Sequence, residues 1–255
     1  MRAAVFAVFG LLIGSFLTVV IHRVPRKESI VAPGSACPRC GTPIRWFENI
    51  PVLSWLALRG RCRRCGNRIS AQYPVIELTT AALFAGASLA VEPLSAEVIL
   101  APFLALMLAI GVIDARHKIV PNAITYPAVP LFAAAIGVGQ WLDGGPDILR
   151  GLIGLLAYGL PIFLMALVYP AGMGLGDAKL AILIGLVLGS LGLARVAVAA
   201  GLGILAGGIG AIVAISVLKL GRKSQVPYGP FLAGGAVVAG LVGDRISSAY
   251  LSLFF

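Results

Sequence analysis

Charge is scarce in this chain. Only 12% of its 255 residues are Asp, Glu, Lys or Arg, 59% are apolar, and the mean hydropathy is +0.99. A soluble domain of this size has no interior large enough for that much apolar surface. The apolar runs are long and continuous rather than alternating, which predicts an all-α polytopic membrane protein. Acidic residues are scarcer still, 10 against 20 basic ones, for a net charge of +10. The surplus sits between apolar segments rather than on an amphipathic soluble face, so it reports orientation in a membrane and no nucleic-acid partner is expected. No transit peptide opens the chain. The first apolar run, Ala3 to Ile21, is longer than a signal-peptide core and precedes Arg23, Arg26 and Lys27. That flank suits a retained first span with its N-terminus outside. Histidine is nearly absent: His22 and His117 stand far apart and read as interfacial residues rather than ligands. No glycine-rich loop follows a strand either. Gly201, Gly203, Gly207, Gly208 and Gly210 lie in wholly apolar surroundings and predict close helix–helix packing, not a dinucleotide loop.

Eight hydrophobic segments are present, at roughly 3–22, 75–91, 96–114, 123–141, 149–169, 178–193, 196–218 and 230–252. The sixth is the shortest. With the N-terminus outside, sixteen basic residues fall on inner loops, ten of them from Arg23 to Arg68. Only Arg2, Arg150, Arg195 and Arg245 remain outside, beside Glu92, Glu97, Asp143, Asp147 and Asp244. That bias sets the orientation. The chain then divides into a first transmembrane helix (1–22), a cytoplasmic loop (23–74) and a transmembrane bundle (75–255).

Two carboxylates stand out. Asp177 lies in Gly-Met-Gly-Leu-Gly-Asp-Ala-Lys, residues 172–179, where three glycines in five residues leave the backbone bare. An ionisable group at membrane depth reads as functional, with a partner to be named; the bland alternative is a helix cap. The partner is Asp114, which opens Asp-Ala-Arg-His-Lys-Ile-Val-Pro-Asn before Pro121 breaks the chain. Its own bland reading is a salt bridge to Arg116 or Lys118. Counting spans puts both aspartates at the cytoplasmic end of the bundle, which favours a pair over two unrelated caps.

The inner loop carries Cys37-Pro-Arg-Cys40-Gly41 and, 21 residues on, Cys62-Arg-Arg-Cys65-Gly66. Two such knuckles predict a four-thiolate zinc site at Cys37, Cys40, Cys62 and Cys65. A cytoplasmic loop disfavours disulfides. With all four positions filled by protein, the metal is structural and closes a loop too small to have a core.

These motifs, with others in order along the chain, resemble the bifunctional bacterial type IV prepilin peptidases. The shared set includes Gly14-Ser15-Phe16-Leu17, Arg23-Val24-Pro25-Arg26, Asn49-Ile50-Pro51 and Ser54-Trp55-Leu56. It continues with Arg59-Gly60, Ile69-Ser70, Tyr73-Pro74-x-x-Glu77, Asp114 with Ile119, Pro121 and Asn122, Gly174-x-Gly176-Asp177-x-Lys179, and Tyr228-Gly229-Pro230-Phe231-Leu232. The resemblance implies an aspartyl protease of the inner membrane, with Asp114 and Asp177 catalytic and the site facing the cytoplasm. It implies removal of the short basic leader from prepilins and pseudopilins of type IV pili and type II secretion, after a Gly. It also implies methylation of the new N-terminal amine with S-adenosylmethionine. Thr18 departs from the family's usual Asn, so a peptidase without methyl transfer is the alternative; a proton-coupled transporter is the rival from another class, but it predicts matching half-repeats, and none are found.

Helix ends suggest roles within the pair: Asp177 at a positive N-terminal end as base, Asp114 at a negative C-terminal end as acid. Around them, Gly174 and Gly176 would let an extended substrate lie on bare backbone, with Lys179 and Pro230 alongside. Pro230 reads equally well as a helix start. Glu28, Glu48 and Glu77 are candidate receivers of the basic leader, while the loop's basic residues suit anionic lipid headgroups. No residues for S-adenosylmethionine are identifiable; the zinc loop is the expected location of methyl transfer.

Overall fold

The computed structural model describes residues 1–168, 174–216 and 227–253. Each of the eight apolar segments is a helix whose ends fall within three residues of expectation. In order they are α1 (Arg2–Arg23), α3 (Gln72–Ala90), α4 (Leu94–His117), α5 (Asn122–Asp143), α6 (Ile148–Val168), α7 (Leu175–Leu191), α8 (Leu193–Ser216) and α9 (Gly229–Leu251), with a short α2 (Leu53–Ala57) in the loop. Seven are long and apolar enough to cross a membrane; the exception is α7, at 17 residues. This is a multi-pass helical membrane protein, and among the described residues the only β pairing is two isolated bridges in the loop.

The ends follow local chemistry. Lys118 and Gly144 adopt left-handed backbone (φ 54° and 70°) and stop α4 and α5. Pro121 precedes α5, and Pro230 stands in the first turn of α9, where its missing N–H costs nothing. Gly172 lies outside the described residues.

The chain forms two compact units, Met1–Gly86 and Ala87–Phe255. In the first, α1 meets α3 on bare backbone. A Cβ on Gly10 would stand 2.7 Å from the Cα of Ala81, and one on Gly14 2.7 Å from the Cα of Glu77. Small residues at such crossings let helices pack where lipid supplies no hydrophobic drive. The hydroxyls of Thr18 and Thr80 donate to carbonyls of their own helices, Ser15 and Ile76, at 2.7 Å each.

In the second unit α4 and α7 form the interior. Phe103, Leu104, Met107, Ile110 and Ile113 of α4 and Leu180, Leu183 and Ile184 of α7 have no exposed surface. Gly154 of α6 and Gly185 of α7 face each other so closely that either Cβ would run into the other's carbonyl oxygen. Gly185→Ala is therefore expected to cost about 1–3 kcal/mol through overpacking, read as a lower thermal midpoint in detergent. The glycines of α8 do more than admit a helix: Gly235 of α9 approaches Gly203, but Gly207 and Gly210 lie under the rings of Tyr228 and Phe231. Arg195, only 4% exposed, donates to both carboxylate oxygens of Asp244 (3.1 and 2.6 Å) and to the carbonyls of Gly240 (2.6 Å) and Ala90 (3.2 Å). Its side chain thus ties the start of α8 to α9 and to the end of α3.

Candidate active site and metal centre

Asp177 occupies the first turn of α7. Its Oδ2 accepts the N–H of Gly174 at 3.2 Å, so the carboxylate does cap its helix. It does not only cap: Asp114, from the last turn of α4, is near enough to interact with it electrostatically. Asp114 is 5% exposed, and its Oδ2 is buried with no hydrogen-bond partner. The structure therefore brings together the two carboxylates that the span count had put at one end of the bundle.

A third element completes the site. Gly229, at the start of α9, lies directly against the Asp114 carboxylate. A Cβ on Gly229 would lie 2.6 Å from Oδ2 and 2.9 Å from Cγ of that carboxylate. Tyr228 beside it interacts electrostatically with Asp177. Both aspartates thus meet a helix N-terminus, Asp177 that of α7 and Asp114 that of α9. The helix-end argument for acid and base no longer separates them.

The neighbouring residues fall as follows. Gly176 is where the 118–121 connector crosses α7, since a Cβ there would stand 3.1 Å from the Cβ of Val120. Gly174 is exposed and its Cβ position is crowded by nothing beyond its own turn. Lys179 donates to Asn122 Oδ1 at 2.8 Å and lies 4.6 Å from the ring centroid of Tyr126, fastening α7 to the start of α5. Pro230 opens α9, and its neighbour Gly229 is what touches Asp114. Sequence reasoning singled out the proline; the only signal for the glycine was its place in the same motif.

Glu48 of the loop and Glu77 of α3 are engaged within the first unit. Glu48 accepts the N–H of Arg45 at 3.0 Å and pairs with Arg63 at 3.6 Å. Glu77 is buried and accepts the N–H of Val52 at 2.7 Å.

The four cysteines converge, with all their Sγ atoms within 4.8 Å of one another. The two knuckles share one turn. The N–H of Gly41 donates to Cys37 O and that of Gly66 to Cys62 O, each at 2.9 Å, and both glycines sit at φ +67°. Backbone amides of Cys65 and then Arg64 hold the Cys62 thiol below its usual range. The Thr42 hydroxyl, then its backbone amide, brings Cys40 down to about 6. The backbone amide of Asn67 lowers Cys65, but burial and the other three sulfurs outweigh it and hold that thiol up, at about 11. The cluster thus shares protons among its thiols, which a metal would displace. The fit is also metric: Cys37 and Cys65 Sγ are 3.8 Å apart, the edge of a tetrahedron with ~2.3 Å metal–sulfur bonds. Chelation is expected to release one metal ion per chain and to open the loop to trypsin at Arg61, Arg63 and Arg64, measured by metal analysis and limited digestion, with helical content retained.

Two families match the chain. Residues 8–91 match the bacterial Peptidase A24 N-terminal domain, and residues 101–218 the type IV leader peptidase family. A protein of Bacillus subtilis (strain 168) named "Prepilin leader peptidase/N-methyltransferase" is 36% identical over 254 residues, 98% of each chain. Proteins of the same name from Burkholderia pseudomallei (strain 1026b) and Aeromonas salmonicida (strain A449) are 34% and 33% identical, over 92% and 96% of this chain and 84% and 92% of theirs. No solved structure matches the chain.

Proposed function

The chain belongs to the type IV leader peptidase family, and we propose that Asp114 and Asp177 are the two catalytic carboxyls with which it cleaves prepilins. It is a prepilin peptidase and N-methyltransferase. The observation that carries the site assignment is the meeting of two carboxylates from separate spans, one of them almost wholly buried with an unpartnered oxygen.

Two nearby carboxyls in a poorly solvated setting share one proton. The ionised one takes a proton from water as its oxygen attacks the scissile carbonyl carbon. The protonated one gives its proton to the carbonyl oxygen. Collapse of the tetrahedral species breaks the C–N bond, and the leaving amine carries off a proton. The pair acts as a unit, with no fixed acid and base in the resting state. The exposed turn at Gly174 offers backbone to an extended substrate. The processed product presents a new N-terminal amine, which takes one methyl from S-adenosylmethionine and loses one proton.

The cut falls after the Gly of a short basic leader, on the cytoplasmic face that the loop charges indicate, in prepilins and pseudopilins alike. The four cysteines hold zinc, which when bound closes the loop without meeting substrate, and the loop's basic residues face anionic headgroups. Glu48 and Glu77 are engaged within the first unit, which leaves Glu28 of the three to meet the leader's charge.

Intact-mass spectrometry of a prepilin incubated with the purified protein tests this reading. The expected result is leader loss alone without S-adenosylmethionine, and leader loss plus one methyl with it. Leader loss without the methyl in both would leave a peptidase only. No cleavage by zinc-loaded protein across several prepilins would reject the reading.

A further inference from the structure

The loop does not stay above its helices. Val52 donates its N–H to Glu77 Oε2 at 2.7 Å, and Glu77 packs on α1 beside Ser15, where a Cβ on Gly14 would stand 2.7 Å from the Glu77 Cα. Ser15 lies six residues inside Ile21, the last apolar residue of α1. At ~1.5 Å per residue Ser15 is roughly 9 Å below the last apolar residue of α1, while Glu77 is roughly 3 Å below the start of the second apolar segment. Irregular backbone bonded to a side chain below the end of α1 has to find its hydrogen bonds inside the protein where hydrocarbon surrounds it, because hydrocarbon offers none.

This segment meets that demand. Pro51 has no N–H, and the Val52 N–H is taken by Glu77. Leu53 N–H donates to Pro51 O at 2.6 Å and Ser54 N–H to Ile50 O at 3.1 Å. The Ser54 hydroxyl also donates to Ile50 O, at 2.6 Å. The cost is backbone strain: Val52 sits at φ 61°, ψ −50°, in the rare γ-turn that a β-branched residue adopts poorly. Beyond the turn α2 splits its faces. Trp55 points inward, donating to Ile69 O at 3.2 Å and covering Gly60. Leu53 and Leu56, one turn apart, are 65% and 57% exposed. Ten basic residues between Arg23 and Arg68, against Glu28 and Glu48, surround the segment with charge that suits anionic headgroups.

We propose that residues 50–57 form a re-entrant segment in the leaflet on the loop's side of the membrane, with Leu53 and Leu56 against phospholipid acyl chains and Glu77 as the latch that holds it there. This accounts for a buried carboxylate near the start of α3 that the peptidase chemistry does not use. It also explains why the apolar pair on α2 faces outward.

The test uses the full-length protein in nanodiscs of phosphatidylethanolamine and phosphatidylglycerol containing a phospholipid with a diazirine in its acyl chain. After photolysis and trypsin digestion, lipid adducts are expected on peptide 46–59, at Leu53 and Leu56, as well as on α1 and α3. Adducts on the helices with none on 46–59 would overturn the proposal. Loss of the 46–59 adducts on adding a prepilin would also overturn it, because the face would then belong to substrate. Glu77→Ala is expected to lower the 46–59 adduct several-fold at unchanged zinc content, and Glu77→Gln, whose amide oxygen still accepts the Val52 N–H, to restore it. Wild-type labelling in Glu77→Ala would remove the latch.

Discussion

Asp114→Asn and Asp177→Asn are each expected to lower prepilin cleavage by roughly 10⁴-fold, the upper end of what a positioned acid or base contributes. Neither role survives the change, since an amide neither takes a proton from water nor gives one to a carbonyl. The size of Asn matches Asp, and both sites tolerate it locally. Asp177 accepts the Gly174 N–H through one oxygen, which the Asn carbonyl oxygen can still do, and Asp114 Oδ2 has no hydrogen bond to lose. The bundle should therefore stay folded. A double variant should be no worse than either single one, because members of a unit are not additive. A pilin supplied already cleaved should still be methylated by both variants. Loss of methylation along with cleavage would point to misfolding.

Gly229→Ala is expected to lower cleavage by roughly 10²-fold, the scale of a 1 Å misplacement of reacting groups. The backbone there does not forbid alanine, for no unusual φ is involved; the space does. A Cβ would lie 2.6 Å from one carboxylate oxygen of Asp114, so the carboxyl must move away from its partner. Gly234→Ala on the same helix, where a Cβ meets nothing within 4 Å, should leave cleavage unchanged. Rates for the two variants, with methylation of a pre-cleaved pilin as the folding control, separate a displaced carboxyl from a damaged helix.

The aspartate pair was legible in the sequence because span counting is a topological argument: it needs only the order of apolar runs and the sign of the loops. The helices were legible for the same reason, down to the shortest apolar run, which is α7 with its 17 residues. The cysteine knuckles could be read from spacing, since both turns close locally around glycine. What could not be read were contacts between distant residues through atoms common to every residue. Gly229 matters because its bare backbone meets a side chain from another helix. Glu77 looked like an acid for the leader, yet its partner is the backbone of Val52. The glycines of α8 pointed to helix packing, and two of them receive the rings of Tyr228 and Phe231 at the start of α9, a pairing that leaves no periodic trace.

The most direct measurement of the dyad is the affinity of a prepilin peptide whose scissile bond is replaced by a hydroxyethylene group, its hydroxyl standing where water attacks. The account predicts binding at least ~10²-fold tighter than the matching substrate peptide, as for a transition-state analogue, with the gain lost in both Asp114→Asn and Asp177→Asn. Equal affinity for isostere and substrate in the wild type, or a gain that persists in either variant, would contradict it.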